Sequence, residues 1–168
     1  MFDATLNRCL PEFAARGLVL ALENPGHGAM ALLPNGCAAA QLLGLYNSPT
    51  LRLNYDIANA FTYGQRDGSA SEDLRFALPF AACIHLKDVI DTPTGWNFCA
   101  IGDGSIGYPD LMDLLRSRAL TVPMAMELPL RLSRPGKQDL VRAAVPPLWD
   151  DIRAALLRSK AFVSPAMT

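Results

Sequence analysis

Four ionisable side chains stand near the carboxyl ends of four short apolar runs. They are Glu23 in GLVLALEN (17–24), Asp56 in LRLNYDIAN (51–59), His85 in CIHLKDVI (83–90) and Glu127 in VPMAMELPL (122–130). If the runs are adjacent parallel strands, the four side chains converge at one edge of the sheet. Three carboxylates and one imidazole suit Mn²⁺, Mg²⁺ or Co²⁺, and Zn²⁺ as well. Taken singly, each residue is also explained as a helix cap, a loop residue or a structural histidine, so only the repetition favours a shared site.

The elements that must position these residues alternate along the chain. Each apolar run is followed by a segment with helix-like spacing: PNGCAAAQLLGLY, SEDLRFALPFAAC, YPDLMDLLRSRAL and KQDLVRAAVPPLWDDIRAALLRSKAF. A further helix is predicted ahead of them in FDATLNRCLPEFAARG, with a stop at Gly17. The alternation predicts a parallel α/β fold, one helix followed by four βα units in a single domain over 1–168. We expect Pro146 and Pro147 to break or kink the last helical segment.

A literal G-x-G-x-x-G motif occurs at Gly102, Gly104 and Gly107. In dinucleotide-binding proteins these glycines lie in the tight turn between a strand and a helix. Here the nearest strong strand pattern, 83–90, ends a dozen residues earlier, and the helix is predicted to start at Pro109. The glycines are therefore expected to form a turn into a helix, preceded by an extended loop, and Asp103 to order that loop.

The segments LALENPG, LNYDIAN, IHLKD, IGDGSIGYPDLMDLL and MAMEL, in this order, resemble the C-terminal half of the xylose isomerase-like superfamily. That superfamily of sugar isomerases and epimerases shares the TIM-barrel fold with the apurinic-site endonuclease IV enzymes. The most specific part of the resemblance is H-x-K-D followed by G-acid-G and a helix. It implies that the chain supplies the fifth to eighth strands of a (β/α) barrel.

The resemblance also implies roles for individual residues. Glu23, Asp56, His85 and Glu127 would bind a divalent metal, and Glu23 and Glu127 would be the acid/base pair. The implied reaction is isomerisation or epimerisation of a small keto-sugar or polyol through an enediolate. Lys87 would contact a substrate hydroxyl or carboxylate, although pairing with Asp88 explains it equally well. Asn59, at a position where several epimerases have histidine, and Trp96, which alternatively packs the loop, are the other substrate-binding candidates.

Length is the main departure from the resemblance, because a closed barrel takes roughly 250 residues. An open half-barrel is expected to leave two unpaired edges and an exposed apolar inner face. A second copy, making a homo-oligomer, or a separate N-terminal half-barrel chain would complete it. The alternative is a truncated or non-catalytic half-barrel whose inner face serves only assembly.

Two other enzymes in the same superfamily remain as alternatives. A dehydratase of a cyclic polyol or keto acid would begin with the same proton abstraction beside a carbonyl. An apurinic-site endonuclease needs additional histidines, whereas this chain has only His27 and His85. We expect His27, in ENPGHG, to be a loop residue.

Composition limits the partners and the compartment. The chain has 168 residues, 18% charged, a formal net charge of −1 and scattered Lys and Arg, which gives no sign of nucleic-acid binding. It shows no secretory signal and no apolar stretch long enough to span a membrane. Four cysteines form no C-x-x-C pair, so a reduced cytoplasmic protein is expected.

Overall fold

The predicted alternation of helices and strands is present in the computed structural model, which describes residues 2–25, 32–64, 68–117, 122–136 and 138–164. Within these ranges the helices are α1 (Phe2–Ala15), α2 (Gly36–Tyr46), α3 (Ile57–Tyr63), α4 (Ala70–Ala77), α5 (Tyr108–Ser117) and α6 (Trp149–Val163), with a 3-10 turn at Leu78–Phe80. The strands are β1 (Leu20–Glu23), β2 (Leu51–Asp56), β3 (Ala81–Leu86), β4 (Asp88–Thr92), β5 (Gly95–Cys99), β6 (Met124–Met126), β7 (Leu132–Pro135) and β8 (Val141–Arg142).

The four predicted parallel strands form one sheet in the order β1-β2-β3-β6. Glu23 pairs in register with Asn54, and Asp56 with His85. The Glu127 N–H extends the last pairing by donating to Leu86 O at 2.9 Å. The parallel α/β architecture predicted from the sequence is therefore confirmed.

The two faces of this sheet differ in chemistry because side chains alternate along each strand. In β2, Leu51, Leu53 and Tyr55 are buried in the apolar core with the helices. Arg52, Asn54 and Asp56 occupy the opposite face. The expectation of an apolar inner face is therefore wrong for this strand, whose inner positions are all polar.

Local capping explains where several helices begin and end. Gly17 follows α1 with φ 65°, a left-handed conformation that favours glycine. Asn35 caps α2 by accepting from the Ala38 N–H at 2.9 Å. Asp73 of α4, itself buried, accepts from the Gly36 N–H at 2.8 Å and so ties α4 to the start of α2.

The run 51–59 is only partly strand, which corrects the sequence prediction. Asp56 ends β2 and its Oδ1 accepts from the Asn59 N–H at 2.8 Å, so α3 begins at Ile57. An aspartate with an extended backbone, whose carboxylate accepts from the N–H three residues later, is a strong signal for the start of a helix. Here it outweighs the tendency of the apolar run to continue as a strand.

A second, antiparallel sheet with the order β4-β5-β7-β8 was not predicted. The run 83–90 divides at Lys87, so β3 stays in the parallel sheet and β4 pairs with β5 as a hairpin. The extended loop predicted before the glycines is therefore largely strand. The segment 138–148 is not helical; it contains β8, and α6 begins only at Trp149, after the two prolines. In the described ranges, every helix is too short or too polar to cross a bilayer.

Candidate metal centre

Four side chains that are remote in sequence meet at the carboxyl edge of the parallel sheet. Glu23, Asp56, His85 and Glu127, called the carboxylate cluster below, each offer one ligand atom, and these atoms lie within 4.8 Å of one another. Glu23 and Asp56 end β1 and β2, His85 lies in β3, and Glu127 directly follows β6. The convergence that the sequence predicts is present in the structure.

His85 lies at the middle of the carboxylate cluster. Its Nδ1 atom is 3.0 Å from Glu127 Oε1, 3.5 Å from Glu23 Oε1 and 3.9 Å from Asp56 Oδ2. The His85 side chain is 16% exposed, whereas those of Glu23 and Glu127 are 42% and 39% exposed. The two glutamates, at the carboxyl ends of the two edge strands, are therefore the members that solvent or a small molecule can reach.

Lys87 brings a positive charge against two of the carboxylates. Its Nζ atom is 2.5 Å from Asp56 Oδ2 and 2.9 Å from Glu127 Oε2, with the side chain 9% exposed. Burial by itself lowers the pKa of Lys87, but the attraction of Asp56 and Glu127 outweighs it and raises the pKa above its ordinary value. Lys87 is thus a charged part of the site, and it pairs with Asp56 rather than with its neighbour Asp88.

Asp56 is the most enclosed member of the cluster, with no exposed side-chain surface. Burial raises its pKa, and the nearby Lys87 offsets only part of that effect, while the negative charge of Glu127 adds to it. One oxygen, Oδ1, caps α3. The other, Oδ2, faces the cluster.

The donor set of the cluster fits a divalent cation. His85 Nδ1 is buried and, within the described ranges, has no partner with hydrogen-bond geometry, whereas Asp56 Oδ2 is paired with the Lys87 ammonium. Buried polar atoms of this kind are costly unless something satisfies them. Three carboxylates and one imidazole nitrogen, the atoms that satisfy Mn²⁺, Mg²⁺, Co²⁺ or Zn²⁺, are aimed at one small volume.

Three residues that sequence reasoning missed hold the site in place. The Asn24 amide, fully buried, donates to Asp56 O at 2.8 Å and accepts from the Asp56 N–H at 2.7 Å, which fastens the end of β1 to that of β2. Asn54 Nδ2 lies 3.3 Å from Glu23 Oε2 and 3.1 Å from His85 Nε2. Strand alternation was the available signal for Asn54, since it lies two residues before Asp56 and therefore on the same face.

Tyr108, the third of these residues, clasps the backbone at Lys87. Its hydroxyl accepts from the Lys87 N–H at 2.8 Å and donates to Lys87 O at 3.0 Å. Complete burial raises the pKa of Tyr108 well above its ordinary value. The start of α5 thus fixes the point where the chain leaves the parallel sheet.

Asn59 and Trp96, the two other substrate-binding candidates, contact other residues of the protein. The Asn59 amide nitrogen donates to Asn24 O at 3.0 Å, in a buried position. The Trp96 ring stacks with the Arg134 guanidinium, whose Cζ atom is 4.9 Å from the ring centroid. Their role in substrate binding stays a prediction, and His27 lies outside the described residues.

The glycines of the G-x-G-x-x-G motif surround a carboxylate of the protein itself. The segment 100–107, called the glycine loop below, wraps around Asp88, whose Oδ2 accepts from the N–H groups of Gly102 and Gly104 at 3.0 Å each. A Cβ at Gly104 would overlap that carboxylate. Asp103 reaches Arg158 of α6 at 3.1 Å. The glycines form a turn into α5, as predicted.

Comparison with known proteins supports the fold and gives the chain a family. The solved structures that align with it include the following three. One is a probable 3-DHS dehydratase, AsbF, involved in petrobactin synthesis, from Bacillus anthracis, with 18% identity and a TM-score of 0.56, covering 72% of this chain and 47% of that one. The second is a xylose isomerase domain protein from Planctomyces limnophilus, with 23% identity and a TM-score of 0.58, covering 93% of this chain and 50% of that one. The third is an L-ribulose 3-epimerase, with 17% identity and a TM-score of 0.68, covering 97% of this chain and 52% of that one. The chain thus spans about half the length of these structures. The comparison with curated proteins finds no significant match.

The family rests on a match of sequence rather than of shape alone. A family model described as xylose isomerase-like TIM barrel matches residues 2–145, most of the chain and all four strands of the parallel sheet. The chain belongs to the xylose isomerase-like TIM-barrel family.

Proposed function

We propose that the carboxylate cluster binds a divalent cation and that the chain is part of a sugar isomerase or epimerase. The observation that carries this proposal is the convergence of Glu23, Asp56, His85 and Glu127 within 4.8 Å. When bound, the cation supplies electrophilic polarisation of a substrate carbonyl. The substrate class is a small keto-sugar or related polyol.

Glu23 and Glu127 are the proposed acid/base pair. They lie at the carboxyl ends of the two edge strands, on either side of His85, and they are the exposed members of the cluster. A substrate carbon between them can lose a proton to one carboxylate and regain it from the other, through an enediolate. Asp56, buried and paired with Lys87, is suited to hold charge rather than to exchange protons with substrate.

Lys87 is the proposed donor to a substrate oxygen. Its ammonium group is already held by Asp56 and Glu127, so it needs little reorganisation to face an anionic oxygen. Asn59 and Trp96 are the other proposed substrate contacts. The activity belongs to a complete barrel, whose other strands come from further sequence, a second copy or a complementing half-barrel chain that pairs with β1 and β6.

Hydrogen exchange into a ketose tests the proposal. The protein in its completed barrel, as the homo-oligomer or with the complementing half, is loaded with Mn²⁺, Co²⁺ or Zn²⁺. It is incubated in D₂O with L-ribulose or D-fructose, and deuterium at the carbons next to the carbonyl is measured by NMR. We expect incorporation by the wild type and none by Glu127→Gln, while Glu12→Gln, an exposed change on α1, behaves as the wild type. Incorporation that persists in Glu127→Gln contradicts the assigned role.

The non-catalytic half-barrel makes a different prediction. It gives a stable oligomer without stoichiometric metal and without thermal stabilisation by Mn²⁺, Co²⁺ or Zn²⁺. Elemental analysis together with solution mass separates the two. A dehydratase, as in the solved relative named for that activity, shares the first proton abstraction, so product analysis with a cyclic keto acid distinguishes it from an isomerase.

A further inference from the structure

Asn54 connects one proposed acid/base residue to the histidine of the carboxylate cluster. Its amide nitrogen lies within hydrogen-bond distance of both Glu23 Oε2 (3.3 Å) and His85 Nε2 (3.1 Å). Its amide oxygen, Oδ1, is buried and has no hydrogen-bond partner within the described ranges. One side chain therefore offers its donor end to two site residues and leaves its acceptor end unsatisfied.

The arrangement has a consequence for the imidazole of His85. When the Asn54 amide nitrogen donates to His85 Nε2, that nitrogen must carry the lone pair, and the single hydrogen of the neutral ring lies on Nδ1. Nδ1 is the atom that faces the three carboxylates. This tautomer suits a cluster of negative charges, and it opposes a cation on Nδ1.

A cation on His85 Nδ1 reverses the requirement. The ligating nitrogen must be unprotonated, so the hydrogen lies on Nε2 and needs an acceptor. The Asn54 amide group contains one, Oδ1, which a half-turn about its last bond brings to His85. The same half-turn takes the amide nitrogen away from Glu23.

We propose that Asn54 is a positioning residue that couples the tautomer of His85 to the hydrogen bonding of Glu23, and thereby sets the cation affinity of the carboxylate cluster. The inference rests on the proposed cation site. It goes beyond that site because it gives Asn54, which is not one of the four ligands, control of when Glu23 is released from a protein partner.

Zinc affinity of Asn54 variants is the first test, with Zn²⁺ alone as the probe and calorimetry as the readout. Asn54→Ala removes the acceptor, and we expect zinc affinity to fall about 10–100-fold. Asn54→Asp keeps an acceptor and no donor, so it binds zinc at least as tightly as the wild type. Asn97→Ala, an exposed asparagine of β5, is the matched control and leaves affinity unchanged. Equal affinity in Asn54→Ala and the wild type, or weaker binding by Asn54→Asp, overturns the inference.

The tautomer of His85 is the second test and needs no activity. The chain has two histidines, so ¹⁵N-labelled imidazoles give two ring patterns, and His85→Gln identifies the one that matters. For the neutral ring, we expect hydrogen on Nδ1 in the wild type without zinc, on Nε2 with zinc, and on Nε2 in Asn54→Asp under both conditions. A wild-type ring with the same tautomer with and without zinc overturns the coupling.

The outcomes for the two proposals are separable. A protein that binds zinc and changes tautomer yet exchanges no ketose hydrogen contradicts the isomerase function and leaves the role of Asn54 standing. A protein that exchanges ketose hydrogen while Asn54→Ala binds zinc normally contradicts the role of Asn54 alone. A wild type that binds no zinc contradicts both the cation site and its coupling.

Discussion

Asp56 and Asp88 are two enclosed carboxylates with opposite surroundings. Each has its pKa raised by burial. Asp88 is enclosed by main-chain donors, namely the N–H groups of Val89 at 2.8 Å and of Gly102 and Gly104 at 3.0 Å. Asp56 gives one oxygen to a helix cap and turns the other towards Lys87 and the carboxylate cluster.

The difference separates a structural carboxylate from one suited to chemistry. Main-chain donors are fixed by the path of the chain, so the hydrogen bonds of Asp88 cannot change unless the glycine loop unfolds. The neighbours of Asp56 Oδ2 are side chains, which can exchange partners without moving the backbone. A buried carboxylate next to mobile charges is therefore available for a cation or a substrate, and one enclosed by backbone is not.

The largest expected effect comes from exchanging the two carboxylates for amides. Asp56→Asn keeps Oδ1 as a cap but removes a charge that faces the cation. Attraction between unit charges about 4 Å apart is worth about 4 kcal/mol at an effective dielectric constant near 20, so zinc affinity is expected to fall at least about 100-fold. Asp88→Asn is expected to leave zinc affinity within about twofold of the wild type, and its amide, facing N–H donors, to lower the free energy of unfolding by about 1–3 kcal/mol.

Calorimetric zinc titration measures the zinc affinity of Asp56→Asn and Asp88→Asn, and urea unfolding measures their stability. The comparison between the two carboxylates breaks if Asp88→Asn weakens zinc binding as much as Asp56→Asn does.

The glycine loop is the next feature to perturb. A methyl group at Gly104 overlaps the Asp88 carboxylate and approaches Val89 O, and overpacking of this kind costs about 1–3 kcal/mol. The matched control is Gly44→Ala in α2, where an added Cβ meets nothing within 4 Å and a gain of about 0.5–1 kcal/mol is expected. Urea unfolding of the two alanine variants should move in opposite directions, and parallel shifts would contradict the close packing around Asp88.

The hydrogen bonds between Tyr108 and the Lys87 backbone are expected to make stability depend on pH. Burial raises the pKa of Tyr108 well above 10.0, so the native state keeps its proton where the unfolded chain loses it. The native state then binds more protons than the unfolded state, and stability falls as pH rises above 10. Tyr108→Phe lacks the hydroxyl, so the Lys87 N–H loses its partner and the free energy of unfolding falls by about 1–3 kcal/mol at neutral pH. We expect this difference in stability from the wild type to shrink above pH 10. Thermal unfolding from pH 7 to 11 measures this, and a constant deficit would count against the clasp.

The smallest effect is expected at the exposed contact between Asp103 and Arg158, which are 44% and 57% exposed. Exposed ion pairs contribute about 0–1 kcal/mol. Asp103→Asn should therefore change unfolding by no more than that and leave zinc affinity unchanged. A larger loss of zinc affinity would show that the glycine loop communicates with the carboxylate cluster.

Prediction from sequence succeeded where the signal is local. The apolar runs around Leu53 and Ile84 gave β2 and β3, and the polar residue near each strand end gave the carboxylate cluster. Prediction was wrong over 138–148, where the spacing of apolar residues indicated a helix but the structure has β8 and irregular segments. Two-residue strands such as Val141–Arg142 have no period of their own and form only because β7 lies beside them.

The sequence by itself determined the parallel strands, the helices between them and the edge at which Glu23, Asp56, His85 and Glu127 meet, because hydrophobic periodicity and helix caps act within a few residues. Only the tertiary structure decided that Lys87 pairs with Asp56 rather than with its neighbour Asp88, and that Asn54 bridges Glu23 and His85. These contacts join residues about thirty positions apart. They depend on strand register and side-chain direction, which exist only once the sheet has formed.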